Sequence, residues 1–149
     1  MKPEVDLVLQ GYAGTLLMDV APHLGAEYSI GNVSVMALSL FMASEEYDRA
    51  ADIRVRENAG MRALFAEAAG LVEDAGLAGR LREAAATRDT SFRVSALNAS
   101  NDALKTLLIE LQSAVEVSKA AWAAAFEKRI WQFLIEAAEG RKLSIPAPG

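Results

Sequence analysis

Residues 33–74 read VSVMALSLFMASEEYDRAADIRVRENAGMRALFAEAAGLVED, and this stretch decides the fold. Stepped at 100° per residue, it lays Met36, Leu40, Ala43, Tyr47, Ala50, Met61, Phe65, Ala68 and Val72 along one apolar stripe. Glu45, Asp48, Arg49, Asp52 and Arg56 occupy the opposite face. Glu45–Arg49 and Asp52–Arg56 are i,i+4 pairs with the acid first, the order that supports a helix. The stripe keeps its phase across Gly60, so the pattern predicts one long helix near 33–74, or two nearly collinear ones. Residues 33–43 are apolar nearly all round, which implies that this end is covered on several sides.

Working outward, helix breakers place the other joints. Pro3, Pro22–Gly25 and Gly31–Asn32 bracket a first helix over about residues 4–21. Ala75–Gly79 is expected to form a turn. From Arg80 to Glu139 there is neither Gly nor Pro, yet sixty residues of unbroken helix would span about 90 Å. The chain must therefore turn without them. Thr87–Ser91 is the better joint, with Asp89 or Thr90 as helix cap, and Glu116–Lys119 is a second, with Ser118 as cap. Residues 92–117 carry Val94, Leu97, Leu104, Leu108, Leu111 and Val115 at heptad-like spacing. The last helix presents Trp122, Phe126, Ile130, Phe133, Leu134 and Ala137 on one side and closes at Gly140. The reading is an all-α, up-and-down bundle of four to five antiparallel helices, a single domain over 1–149 with an extended tail over 141–149.

Composition agrees and adds exclusions. Of 149 residues, 52% are A, V, I, L, M, F, W, Y or C. With glycine counted and tyrosine left out the share rises to about 57%, above the usual 45–50%. Twenty-nine alanines account for much of it. Alanine buries little area but has the best helix propensity, so the surplus speaks for helices more than for a strong core. The chain has no cysteine and one histidine, which excludes disulfide scaffolds, thiol nucleophiles and cysteine-based metal centres. The uncharged stretch from Ile30 to Ser44 falls short of the about 20 apolar residues a membrane span requires, and Glu4 and Asp6 stand where an export signal is basic. A cytoplasmic protein without a membrane partner is the expectation. Net charge is −5 overall, with 5 basic and 12 acidic groups in residues 1–75 against 10 and 8 in residues 76–149. Neither half carries the clustered basic face that a nucleic-acid backbone requires.

The familiar chemistries find no footing. A di-metal carboxylate bundle needs Glu-x-x-His on two helices, whereas His23 stands alone beside Pro22 and suits a helix C-terminus. Glu46 and Glu57 share a helix face but lie about 16 Å apart along the axis, too far for a glycosidase pair. Gly11–Gly14 and Gly76–Gly79 lack the Lys-Ser/Thr of a phosphate loop. No catalytic residue, metal ligand or cofactor is expected.

What stands out is polarity inside apolar rows. Arg54 lies near the centre of the 33–74 stripe and Asn58 one turn on, while Asn101 interrupts the Val94–Val115 row, at its border when counted at 3.6 residues per turn. A buried guanidinium must meet a carboxylate or an anion; Glu57 is the nearest candidate, and Asp102 or Glu110 serve from another helix. Such residues either fix helix register or form a site for a small anionic ligand made of Arg54, Asn58 and Asn101. The apolar faces at 33–43 and 122–138 exceed what one bundle needs and point to homodimerisation through one or both, with Tyr12, Trp122 and Trp131 as anchors. The function expected is that of a non-enzymatic accessory or interaction protein acting as a homo-oligomer, with anion binding around Arg54 as the alternative.

Overall fold

The helix breakers of this chain do not all break helices, and that sets the architecture. A computed structural model describes residues 2–144. Among these are five α-helices and no strand: α1 (Val5–Thr15), α2 (Glu27–Ala68), α3 (Ala75–Ala86), α4 (Val94–Val117) and α5 (Ala123–Gly140). The fold is an all-α helical bundle with one long helix. That helix, α2, is displaced from the range the pattern predicts, starting six residues earlier and ending at Ala68. Gly31 and Asn32, read as a joint, lie within it, because an isolated glycine costs a helix only about 1 kcal/mol. The first helix, expected to reach residue 21, is regular only to Thr15 and continues as a π-helical turn over Leu16–Val20 and a 3-10 turn over Ala21–His23. Pro22, which has no N–H to donate, falls in that last turn, and His23 Nδ1 lies 2.8 Å from the Asp19 carbonyl. The part of the tail from residue 145 onward lies outside the described residues.

Two compact units are distinguished, one running to Ala50 and resuming at Leu143, the other Ala51–Lys142. The first holds α1, the irregular turns and α2 up to Ala50. Its buried side chains are small: Ala13, Ala21, Ala37, Ser44 and Ala50. Here the stripe is misplaced by the sequence pattern. Met36 and Tyr47 are 57% and 60% exposed, while Ala37 and Ser44 are buried. Where nearly every residue is apolar, periodicity cannot choose the inward face, and the small residues win because they let neighbouring backbone approach.

The second unit holds the main core. Met61, Phe65 and Ala68 from α2 meet Leu77 and Leu81 from α3, Leu104, Leu108, Leu111 and Val115 from α4, and Phe126 and Ile130 from α5. In this half the stripe is buried as the pattern predicts. Gly60 is a contact point: a Cβ there would lie 2.6 Å from Phe133 Cε2, so the missing side chain is what admits the ring. Trp122 packs edge-on against Phe126 with ring centroids 6.1 Å apart. The two joints without glycine or proline are where polarity put them. α3 ends at Ala86 and α4 at Val117. Asp74 caps α3 by accepting from the Leu77 N–H at 2.5 Å. Asp89 and Thr90 do not cap α4, whose N-cap is Arg93; Asp89 serves elsewhere.

Candidate functional site

About two and a half turns of α2 carry the polar residues that face α4 and its preceding loop in the second unit. Arg54, Asn58 and Arg62 recur every four residues and so share one side of the helix. Arg62 meets Asp89 as a planar fork, Nη1 to Oδ2 at 3.1 Å and Nη2 to Oδ1 at 2.8 Å, with Nε on the Thr87 hydroxyl at 2.9 Å. Ser100 adds a hydroxyl donor to Asp89 Oδ1 at 3.0 Å. Asn58 donates from Nδ2 to the same oxygen at 3.1 Å and to the Leu97 carbonyl at 3.4 Å. The loop between α3 and α4 is thereby fixed by one carboxylate that four donor groups address.

The network continues inward. Asn101 donates from Nδ2 to Asn58 Oδ1 at 2.9 Å and to Glu57 Oε2 at 3.1 Å. Glu57 is 4% exposed and is the network's second anion. Arg141 at the end of α5 grips it from two sides, Nε on Oε1 and Nη2 on Oε2 at 2.6 Å, and the Lys105 ammonium lies 3.7 Å from Oε2. An unbroken line of hydrogen bonds runs from Arg62 through Asp89, Asn58, Asn101 and Glu57 to Arg141.

Both carboxylates are held ionised. Burial pushes the Glu57 carboxyl up, but the bonds from Arg141 and Asn101 and the charges of Arg141 and Lys105 outweigh it, so its pKa is lowered. For Asp89 the Arg62 fork is the largest influence and lowers the pKa; burial opposes it, and Ser100 and Asn58 add to the lowering. Carboxylates in this state hold charge rather than pass protons near neutral pH.

The three residues singled out from sequence are thus distributed unevenly. Asn58 and Asn101 are buried and bonded to each other. Asn101 sits squarely in the α4 row with Leu97 and Leu104 rather than at its border, because the helix presents that row to the core at heptad spacing. Arg54 is half-buried rather than central, and its Nε donates to Asn98 Oδ1 at 2.8 Å. Of its anticipated carboxylate partners, Glu57 is engaged by Arg141, Asn101 and Lys105, and Glu110 pairs with Arg80 at 2.6 Å. Arg62, Lys105 and Arg141 were not anticipated, and Asp89 was expected only as a helix cap. The four-residue spacing of Arg54, Asn58 and Arg62 was a signal for the first; the others join only through tertiary packing.

Beside Glu57, a groove of about 280 Å³ opens between α4 and α5, lined by Leu108, Phe133, Leu134 and Ala137 with Lys105 and Arg141 at one end. In the first unit a second groove of about 490 Å³ is lined by Ala13, Gly14 and Leu17 of α1 and its continuation and by Ala37, Leu38 and Phe41 of α2. Among the described residues, no group of three or more His, Asp or Glu side chains is placed to hold a metal ion, and no helix is long and apolar enough to cross a membrane. The chain matches no family model, no curated protein and no solved structure.

Proposed function

We propose that this is a non-enzymatic interaction protein that acts as a homo-oligomer, joined through the helical hairpin of its first unit around residues 33–43. The observation that carries the reading is the distribution of uncovered apolar side chains. Of the nineteen large apolar residues exposed among the described residues, thirteen lie at or before Tyr47. They include Leu17, Met18, Val35, Met36, Leu38 and Met42. At roughly 100 Å² apiece the thirteen expose on the order of 1,000 Å² in all, enough to supply the about 800 Å² per partner that a stable interface buries.

The occupant is a second copy of the chain. A hairpin whose buried side chains are four alanines and a serine has little core of its own. The groove along Ala13, Gly14, Leu17, Ala37, Leu38 and Phe41 offers a seat for a helix, and two hairpins facing each other complete a four-helix arrangement in which each covers the other. Residues 122–138 are the weaker face for this purpose. Phe126 and Ile130 are spent on the second unit's own core, leaving Trp131 and Ile135 outside. In this reading the assembly works in the cytoplasm, and Glu57 and Asp89 brace the second unit as fixed charges.

Light scattering behind a sizing column tests it. At tens of micromolar the expected mass is twice the 15.9 kDa of the chain, and Met36→Glu with Leu38→Glu shifts it to the single-chain value. A wild-type monomer under these conditions overturns the proposal.

A further inference from the structure

The two units differ in what holds them together. Among the described residues before Glu45, the side-chain hydrogen bonds are His23 on the Asp19 carbonyl, Ser34 on the Ile30 carbonyl and Ser39 on the Val35 carbonyl, each spanning four residues. No ion pair precedes the one between Glu45 and Arg49 among them. The second unit is crossed instead by bonds joining residues up to 84 apart in sequence. Packing shows the same contrast. The side chains buried before Glu45 are Ala13, Ala21, Ala37 and Ser44, and the Ser44 hydroxyl has no partner. A Cβ added at Gly11, Gly14 or Gly31 would meet nothing within 4 Å, so these glycines weaken their helices without serving a contact inside the chain. Gly31, Asn32, Val33, Ser34 and Val35 follow one another in α2, all poorer helix formers than alanine, leucine or glutamate. With 11 residues, α1 is shorter than the about 12–15 below which a lone helix is marginal in water.

We infer that residues 5–44 fold only as a second copy covers them, so that dimerisation and the ordering of the first unit are one event. The inference rests on the self-association proposed above and adds how that contact is regulated. The apolar side chains of α1 and of α2 before Glu45 gain from the partner a burial that their own chain does not offer. The long helix does not melt as a whole. Met61 and Phe65 anchor its later half in the second unit's core, and a helix grows from an existing turn without a fresh nucleation cost. In a single copy, order therefore fades backwards along α2 from about Glu45, which accepts from the Ser144 N–H at 2.8 Å, while α1 is lost entirely. Because each free copy must order these residues to bind, the contact is weaker than its area implies, and whatever orders α2 in advance strengthens it.

Amide hydrogen exchange on the full chain, read alongside its mass in solution, makes the test. At tens of micromolar, with the chain dimeric, the amides of residues 5–44 are expected to exchange about a hundredfold more slowly than in an unstructured chain, as at a hundred times the dissociation constant. Dilution until the mass is that of one chain should bring them to within about tenfold of the unstructured rate, while Phe65, Leu111 and Ile130 keep their protection. Met36→Glu with Leu38→Glu should do the same without dilution. Gly31→Ala, at an open position, should tighten dimerisation about twentyfold, because each copy then orders a better helix. Dimers whose dilute single chains keep residues 5–44 protected overturn the inference and leave self-association standing. A chain that is single at every concentration overturns both. Loss of protection at Phe65 together with the hairpin, or dimerisation not strengthened by Gly31→Ala, also overturns the inference.

Discussion

Glu57 and Arg141, 84 residues apart in sequence, form a two-pronged ion pair in which the carboxylate is buried and the guanidinium reaches it from the end of α5. The pair ties the chain's last helix to α2. Asn101 completes the carboxylate's hydrogen bonding from α4, so three helices of the second unit converge on one side chain.

Removing the arginine should therefore be costly. Loss of one partner from a wholly buried pair typically costs 3–5 kcal/mol, but Arg141 is 42% exposed and Lys105 stays nearby. The expected loss for Arg141→Ala is about 2 kcal/mol, or about 4–8 °C in melting temperature. Thermal and urea unfolding measure it. A change within the scatter of ordinary surface substitutions would show that the pair fixes geometry without adding stability.

Acid should loosen the same unit. The folded-state pKa values of Glu57 and Asp89 both lie below their ordinary values. Their contribution is thus fully present above the unfolded-chain pKa values, near pH 4, and is lost as pH falls through the lowered folded values. Urea midpoints collected from pH 7 down to pH 3 should fall most steeply below about pH 4. Glu57→Gln should flatten that fall while lowering stability at pH 7. An unchanged acid limb in the variant would remove Glu57 from the account.

Gly60 tests the closeness of α2 and α5. Gly60→Ala gains about 1 kcal/mol of helix propensity, but its Cβ would meet Phe133 Cε2 at 2.6 Å and Cδ2 at 3.0 Å, and overpacking costs about 1–3 kcal/mol. The net expectation is a loss of about 1 kcal/mol. Combining it with Phe133→Leu should recover stability relative to the sum of the two single changes, a coupling visible in a double-mutant cycle. Strict additivity would argue against the contact.

Ser44 offers the opposite outcome. Its hydroxyl is buried in the first unit without a hydrogen-bond partner, and leaving such a group unpaired costs about 1–3 kcal/mol. Ser44→Ala should raise the melting temperature. A drop would mean that the hydroxyl is used in the assembled protein.

Much of the second unit was legible because its helices alternate apolar and polar residues cleanly. Met61, Phe65 and Ala68 are buried where the helical period puts them, and the α4 row from Leu97 to Val115 where its heptad-like spacing does. The first unit was less legible because residues 33–43 are apolar on all sides, and the pattern then has no phase; Met36 faces out and Ala37 in. Asp89 shows a different limit. A loop aspartate before a helix reads as a cap, but Arg62, one helix away, offers it a fork that a backbone N–H cannot match.

By itself the sequence determined that the chain is helical, that one helix runs long through Gly60, and that Asn58 and Asn101 interrupt apolar rows. These follow from propensity and period, which are properties of neighbours along the chain. Only the tertiary structure decided which apolar face is covered and which partner each buried charge takes, joining Glu57 to Arg141 and Asp89 to Arg62. Those choices rest on desolvation and donor geometry between residues far apart in sequence, and no local pattern encodes them.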